Sequence, residues 1–153
     1  MLVAGLLIPL ASHAVNFDNT KNFDFSVRTT GQELGCLAMN IYHEGRGESS
    51  MGRAAIAAVT MNRVRSKRYP DTVCEVVWQP QQFSWTRIAP HHFIIKDHKA
   101  WEESLVVASL FLQGAQIAEI GNATHYHSVN VQPSWSESSR LIALVGNHYF
   151  YAL

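Results

Sequence analysis

Charge is scarce in this chain, and what there is cancels. Asp, Glu, Lys and Arg make up 16% of its 153 residues, with 12 acidic side chains against 12 basic ones. Without a net field, nothing draws the protein by long-range attraction onto nucleic acid or an anionic membrane. Glycine-rich phosphate loops and dinucleotide fingerprints are absent, which removes the common nucleotide-binding signatures. Cysteine is limited to Cys36 and Cys74, too few to make a zinc site alone. Repeats, low-complexity tracts and clear linkers are missing, so nothing divides the chain. What is present is an apolar share of 47%, ordinary for a protein with a real core, which argues against disorder and for one compact domain.

Met1 to Ala14 contain no Lys, Arg, Asp or Glu. Leu2 to Leu10 form an apolar run too short to span a bilayer and end in Ala-Ser-His-Ala. Small Ser12 and Ala14 stand where a signal peptidase needs them, so residues 1–14 read as a signal peptide, lacking only the usual positive start. Export to the periplasm or cell envelope follows, with no stable membrane span. Cys36 and Cys74 can then form one disulfide, tying the first helix to the segment after the second; the other reading makes each a small buried hydrophobe.

Residues 15–31 are polar, lack helical period and read as an irregular lead-in to a domain over 32–153. From Gln32 to Glu44, Leu34, Leu37, Ala38 and Ile41 recur at helical spacing, and Gly45-Arg46-Gly47 stops the helix. Ser49 or Ser50 caps a second helix reaching about Ser66, rich in small alanines that permit close packing. Tyr69-Pro70-Asp71 breaks it, Thr72 to Val77 follows as a short apolar turn or helix, and Trp78 to Trp85 reads as a surface loop. A third helix spans Lys99 to about Gln113, with Trp101, Leu105, Val106, Ala108, Leu110 and Leu112. Ala123 to Val129 and His148 to Tyr151 read as short strands. The fold class is therefore α+β, mainly helical with a small β element.

Chemistry concentrates in Tyr42-His43-Glu44-Gly45-Arg46-Gly47-Glu48. Glu44, at a helix C-terminus, feels the negative end of the dipole, which favours the protonated form that a general acid needs. The bland alternative is a solvated glutamate paired with Arg46. Glu48 precedes a helix, where the positive dipole end keeps it ionised, so its role reads as structural or orienting. Arg46 is either an ion-pair partner or a substrate contact.

The block Cys36-Leu-Ala-Met-Asn-Ile-Tyr-His-Glu-Gly-Arg-Gly-Glu48, then Met61-Asn62-Arg63-Val64, Tyr69-Pro70, Val73-Cys74-Glu75-Val76-Val77, Gln82-Phe83-Ser84-Trp85, Ala123-Thr124-His125-Tyr126-His127, Pro133 with Trp135, and Gly146-Asn147-His148-Tyr149-Phe150 together resemble the SleB-like cell wall hydrolases, a family that includes spore cortex-lytic enzymes. The resemblance covers about residues 36–150. It implies a lysozyme-like or lytic-transglycosylase-like fold that cuts peptidoglycan glycan strands between N-acetylmuramic acid and N-acetylglucosamine. Glu44 would act first as acid and then as base, the muramic 6-hydroxyl attacking intramolecularly to leave an anhydro product. No cofactor is implied, and a regulatory protein partner stays open. Gly45 departs from the alanine usual in the family, which adds flexibility beside the acid.

Arg46, Glu48, Gln82, Phe83, Ser84, Trp85, Tyr126, His127 and Trp135 are the expected substrate-binding residues, since amide, hydroxyl and aromatic groups suit sugar recognition. Trp85 and Trp135 could equally be core. Asn62, interrupting an apolar helix face, is expected to support the turn around Glu44. His125 and His127 alternate on a strand at a spacing compatible with metal, but no convincing third ligand follows, and His91-His92 lies in another loop. Ser84 lacks the glycine-flanked elbow of a nucleophile. A water-adding hydrolase, a non-catalytic glycan-binding module and a metallopeptidase remain as alternatives.

Overall fold

The structure, a computed structural model, describes residues 25–87 and 94–153. The expected signal peptide, residues 15–24 of the lead-in and His91-His92 lie outside the described residues. Among the described residues four α-helices precede a three-stranded sheet: α1 Phe25–Glu44, α2 Ser50–Arg65, α3 Val73–Trp78, α4 His98–Leu112, then β1 His125–Ser128, β2 Arg140–Val145 and β3 His148–Ala152. The mainly helical α+β expectation holds. Short 3-10 turns at Ser84–Arg87, Ala118–Ile120 and Ser134–Ser138 join these elements.

The helix α2 is the centre of the molecule. Ser49 caps it, its side chain accepting from the Gly52 amide at 3.2 Å. Ala55 to Val59 are buried without interruption, which places neighbours on every side, and α1, α3 and α4 all pack against it. Only methyl-sized side chains allow several helices to approach one axis so closely. Leu37, Ala38 and Ile41 bring the periodic face of α1 onto it. Asn40 joins the two helices by donating to Thr60 Oγ1 at 3.1 Å, which satisfies an amide that is otherwise fully buried.

Three local expectations change. The helix α1 begins at Phe25 rather than near Gln32. Phe25–Gly31 has no apolar period to announce it, and extending an already nucleated helix costs little per residue. In α4, Val106 and Leu110 are exposed, while Ser104, Ala108 and Phe111 are buried; only one stripe of this helix meets the core. Trp78 to Trp85 is not a surface loop throughout, because α3 runs through Trp78 and both Phe83 and Trp85 are packed inside.

The short α3 is held from outside itself. Thr72 caps it, the carboxylate of Glu33 on α1 accepts from the Val73 amide at 2.5 Å, and a Cys36–Cys74 disulfide joins the two helices with Cα atoms 5.2 Å apart. Closing a loop of 38 residues removes denatured-state entropy worth about 4 kcal/mol in the chain-entropy account.

The sheet is antiparallel, in the order β1-β3-β2, with His125 opposite Tyr151, Tyr126 opposite Phe150 and His127 opposite Tyr149. Alternation puts Tyr126, His148 and Phe150 on the core-facing side and His125, His127, Tyr149 and Tyr151 on the outer side. The β2–β3 hairpin turns through Gly146, whose φ is 57°.

Candidate active site

Glu44 is the last residue of α1, where the final carbonyls of the helix point past its side chain. Its carboxylate is partly buried and, among the described residues, accepts one hydrogen bond, from the Tyr126 hydroxyl at 3.2 Å. Burial raises the Glu44 pKa above the ordinary glutamate value, opposed by the Tyr126 hydrogen bond and the positive charge of Arg63. Burial and the neighbouring Glu44 charge push Tyr126 well above its ordinary value, so it stays an O–H donor. Arg46 forms no salt bridge with Glu44; it is exposed, and its charge, after burial, holds the His43 imidazole below its usual value.

The floor beneath this pair is aromatic. His43 stacks on Trp85 with ring centroids 4.6 Å apart, and Trp85 Nε1 donates to Asn40 Oδ1 at 3.3 Å. Phe83 and Trp85 are only 4% and 7% exposed. Expected as sugar contacts, they are buried in this fold, where Trp85 joins His43 and Asn40 behind Glu44. Gln82 and Ser84, on the same segment, reach the surface.

Sequence reasoning overlooked Arg63. It is 4% exposed, its Nε donates to the Thr124 carbonyl at 2.7 Å, and its guanidinium lies 5.5 Å from the Tyr69 ring and 5.4 Å from that of Phe83. Nη1 has no hydrogen-bond partner among the described residues. A buried cation without a paired carboxylate is costly unless its field is used, and here Glu44 and Tyr126 feel it. The legible signal was spacing: Ala55, Val59 and Arg63 recur every four residues on one buried stripe.

Glu48 is fixed elsewhere. It is 7% exposed, both carboxylate oxygens lie 3.3 Å from the Asn147 amide, and Oε1 is 3.3 Å from His148 Nδ1. Burial lowers the His148 pKa against the pull of Glu48. A Cβ on Gly146 would fall 1.9 Å from Glu48 Oε2, so the hairpin approaches the carboxylate as only glycine allows. Glu48, expected among the substrate contacts, thus bridges the start of α2 and the β2–β3 turn. The reading of Gly45 is corrected. A Cβ there would meet the Ile41 carbonyl at 2.7 Å and Arg53 Cγ at 2.8 Å, so the residue marks tight packing rather than flexibility. Arg53, which fills that space, donates to the Glu48 carbonyl and pairs with Glu103 at 2.6 Å.

Comparison with known proteins sets this geometry in context. The family described as Cell Wall Hydrolase matches residues 47–151, more than half of the chain. The chain belongs to the cell wall hydrolase family. The match begins after Glu44. The spore cortex-lytic enzymes of Bacillus cereus and Oceanobacillus iheyensis are 29% and 30% identical over 119 residues, 77% of this chain. This cell wall hydrolase spans less than half the length of those relatives, 43% and 41%. The catalytic domain of Bacillus cereus SleB superposes with a TM-score of 0.63 at 27% identity, covering 80% of this chain and 91% of that one. The catalytic domain of the germination-specific lytic transglycosylase SleB from Bacillus anthracis gives 0.63 at 28%, covering 78% and 93%.

Within this cell wall hydrolase the remaining expected residues separate. Tyr126 alone joins Glu44. His127, expected in one groove with Glu44, lies on the outer side of the sheet by strand alternation, and Trp135, expected there too, sits in the Ser134–Ser138 turn and packs against His125, His127 and Tyr151 on that outer side. Asn62 does not support the Glu44 turn; its Nδ2 donates to the Gly121 and Ala123 carbonyls, both at 2.9 Å, pinning the approach to β1. The groups that hold Tyr126 in place are thus Asn62 and Arg63, adjacent on α2. Burial and the charges of Arg63 and Arg68 hold His125 down to about 4, and Thr124 Oγ1 contacts its Nδ1 at 3.1 Å.

Proposed function

We propose that this domain cuts peptidoglycan glycan strands between N-acetylmuramic acid and N-acetylglucosamine by transglycosylation, with Glu44 as its single acid–base group. The placement of Glu44 carries the reading: a partly buried carboxyl at a helix end, its pKa raised by burial, with one Tyr126 hydroxyl on it and a buried cation behind. Protonated Glu44 gives its proton to the glycosidic oxygen as the bond from C1 breaks. The resulting carboxylate, held by the Tyr126 O–H and the field of Arg63, then takes the proton of the muramic 6-hydroxyl as that oxygen bonds to C1. The product is a 1,6-anhydro end.

An intramolecular nucleophile removes the need for a second carboxylate to activate water. That agrees with the engagement of Glu48 by Asn147 and His148. The transglycosylase named among the structural neighbours supports the same chemistry, and a wall substrate places the protein outside the cytoplasm, in line with the expected export. No helix among the described residues is long and apolar enough to cross a membrane.

Digestion of purified peptidoglycan by the protein and by Glu44→Gln, with products resolved by mass spectrometry, tests the reading. Anhydromuropeptides from the wild type alone are expected. Reducing ends without anhydro sugars would point instead to a water-adding hydrolase, and products undiminished in Glu44→Gln would remove Glu44 from the chemistry.

A further inference from the structure

We propose that the outer face of the sheet carries a second saccharide site, which holds a neighbouring stretch of glycan strand while the opposite, Glu44 face cuts. The inference rests on peptidoglycan being the substrate. A cleft of about 500 Å³ lies on this face, with His127, Tyr149 and Tyr151 at its floor and Asn130, Gln132 and Glu137 around it. That volume is within the ordinary range of small-molecule sites.

The floor is rigid. His127 and Tyr151 stack with centroids 5.2 Å apart, and Trp135 stands edge-on to both, at 5.6 and 5.4 Å. His127 Nδ1 lies 2.9 Å from the Ser128 carbonyl, which can only accept, so Nδ1 carries the hydrogen. His127 Nε2, 3.0 Å from the Tyr151 hydroxyl, must then accept from it. Both imidazole nitrogens are used, which leaves no lone pair for a metal or a base. What His127 and Tyr149 present is ring surface.

The wall mixes exposed Val129 and Val131 with polar side chains that are unspent. Asn130, Gln132 and Glu137 are exposed, and their side chains make no hydrogen bond or ion pair with any described residue; nor does the Tyr149 hydroxyl. Fixed rings below and free amides above suit the two sides of a pyranose, whose C–H face packs on aromatic surface while hydroxyl and acetamido groups take amide hydrogen bonds. The cleft has one carboxylate and no Lys or Arg lining, so it suits an uncharged N-acetylhexosamine rather than an anion. A preformed floor also lowers the ordering cost of binding. A glycan strand is a repeating ligand, so one chain can engage both faces of the sheet through two strands or two stretches of one.

The test separates holding from cutting. Asn130→Ala/Gln132→Ala and Tyr149→Ala are each combined with Glu44→Gln, and binding to intact peptidoglycan sacculi is measured by cosedimentation. The same substitutions with Glu44 intact are assayed on short soluble glycan oligomers. Sacculus affinity is expected to fall about tenfold, roughly 1.4 kcal/mol, while oligomer cleavage stays within about twofold. Unchanged sacculus binding in both variants would overturn the site. Loss of oligomer cleavage in parallel with binding, from variants that remain folded by circular dichroism, would also overturn it, because the cleft would then belong to the cutting groove. Failure of the wild type to cleave any glycan while the cleft variants still lose sacculus binding would sink the proposed reaction and leave this site standing.

Discussion

Glu44 and Glu48 flank one short turn, and the fold treats them in opposite ways. Glu48 is held by a backbone amide and an imidazole and crowded by two glycines, Gly52 and Gly146. Glu44 keeps one hydroxyl contact and an elevated pKa. A carboxylate with its oxygens engaged and its surroundings closed contributes to architecture. One left under-coordinated at a helix end, in partial burial, retains a proton it can give away. The two glutamates thus differ in burial and in the donors aimed at them, and the proposed division between clamp and acid follows that difference.

The sharpest way to test that contrast is Glu44→Gln. Wall-lytic kcat is expected to fall by about 10²–10⁴, the usual worth of general acid–base catalysis. Stability should move the other way. The folded pKa of Glu44 is raised, so its ionisation destabilises the fold as pH rises through that value; the amide avoids this. Glu44→Gln should melt above the wild type at neutral pH, with the difference vanishing at acid pH below the unfolded glutamate value. A variant that melts lower at neutral pH would contradict the account.

Next in size is Gly146→Ala, which adds a Cβ against Glu48 at a residue with positive φ. Denaturant titration should show a loss of roughly 2–4 kcal/mol from overpacking and backbone strain combined. Removing the carboxylate itself, in Glu48→Ala, leaves the Asn147 amide unsatisfied and should cost about 1–3 kcal/mol. If Glu48→Ala were instead as stable as the wild type but inactive, Glu48 would belong to the chemistry and the contrast would fail.

The smallest expected effect is that of Tyr126→Phe. Loss of its O–H removes a contact that favours the ionised carboxylate, so the Glu44 pKa rises further. The alkaline limb of the kcat/KM profile, where the general acid loses its proton, should move to higher pH, with a rate loss on the order of tenfold. A limb that stays in place would show that Tyr126 does not touch Glu44 in the working enzyme. Arg63→Met should shift the limb in the same direction, since it removes a positive charge.

Much of this was legible because it is local. The α1 periodicity, the Gly45–Gly47 stop and the position of Glu44 at a helix end follow from residues within a few turns of one another, and so does the Ser49 cap. The groups around Glu44 were less so. Tyr126 reaches it from far along the chain, as does the Thr124 carbonyl that holds Arg63, and Arg63 was passed over as an ordinary charge in an alanine-rich helix although it continues the stripe of Ala55 and Val59. His127 and Trp135 were placed with Tyr126 because they are near it in sequence and share its chemistry. The two-residue period of a strand turns His127 away from Tyr126, and it can be applied only once the core-facing side is known; Trp135 follows His127 because its turn packs on that outer side.

By itself the sequence determined the helical punctuation, the family resemblance and the helix-end position of Glu44, all of which depend on short-range geometry and residue chemistry. The tertiary structure alone decided which carboxylate is clamped, which face of the sheet meets Glu44 and which rings are core. Burial and the number of donors around a charge arise from chain segments meeting in space, and no local window contains them.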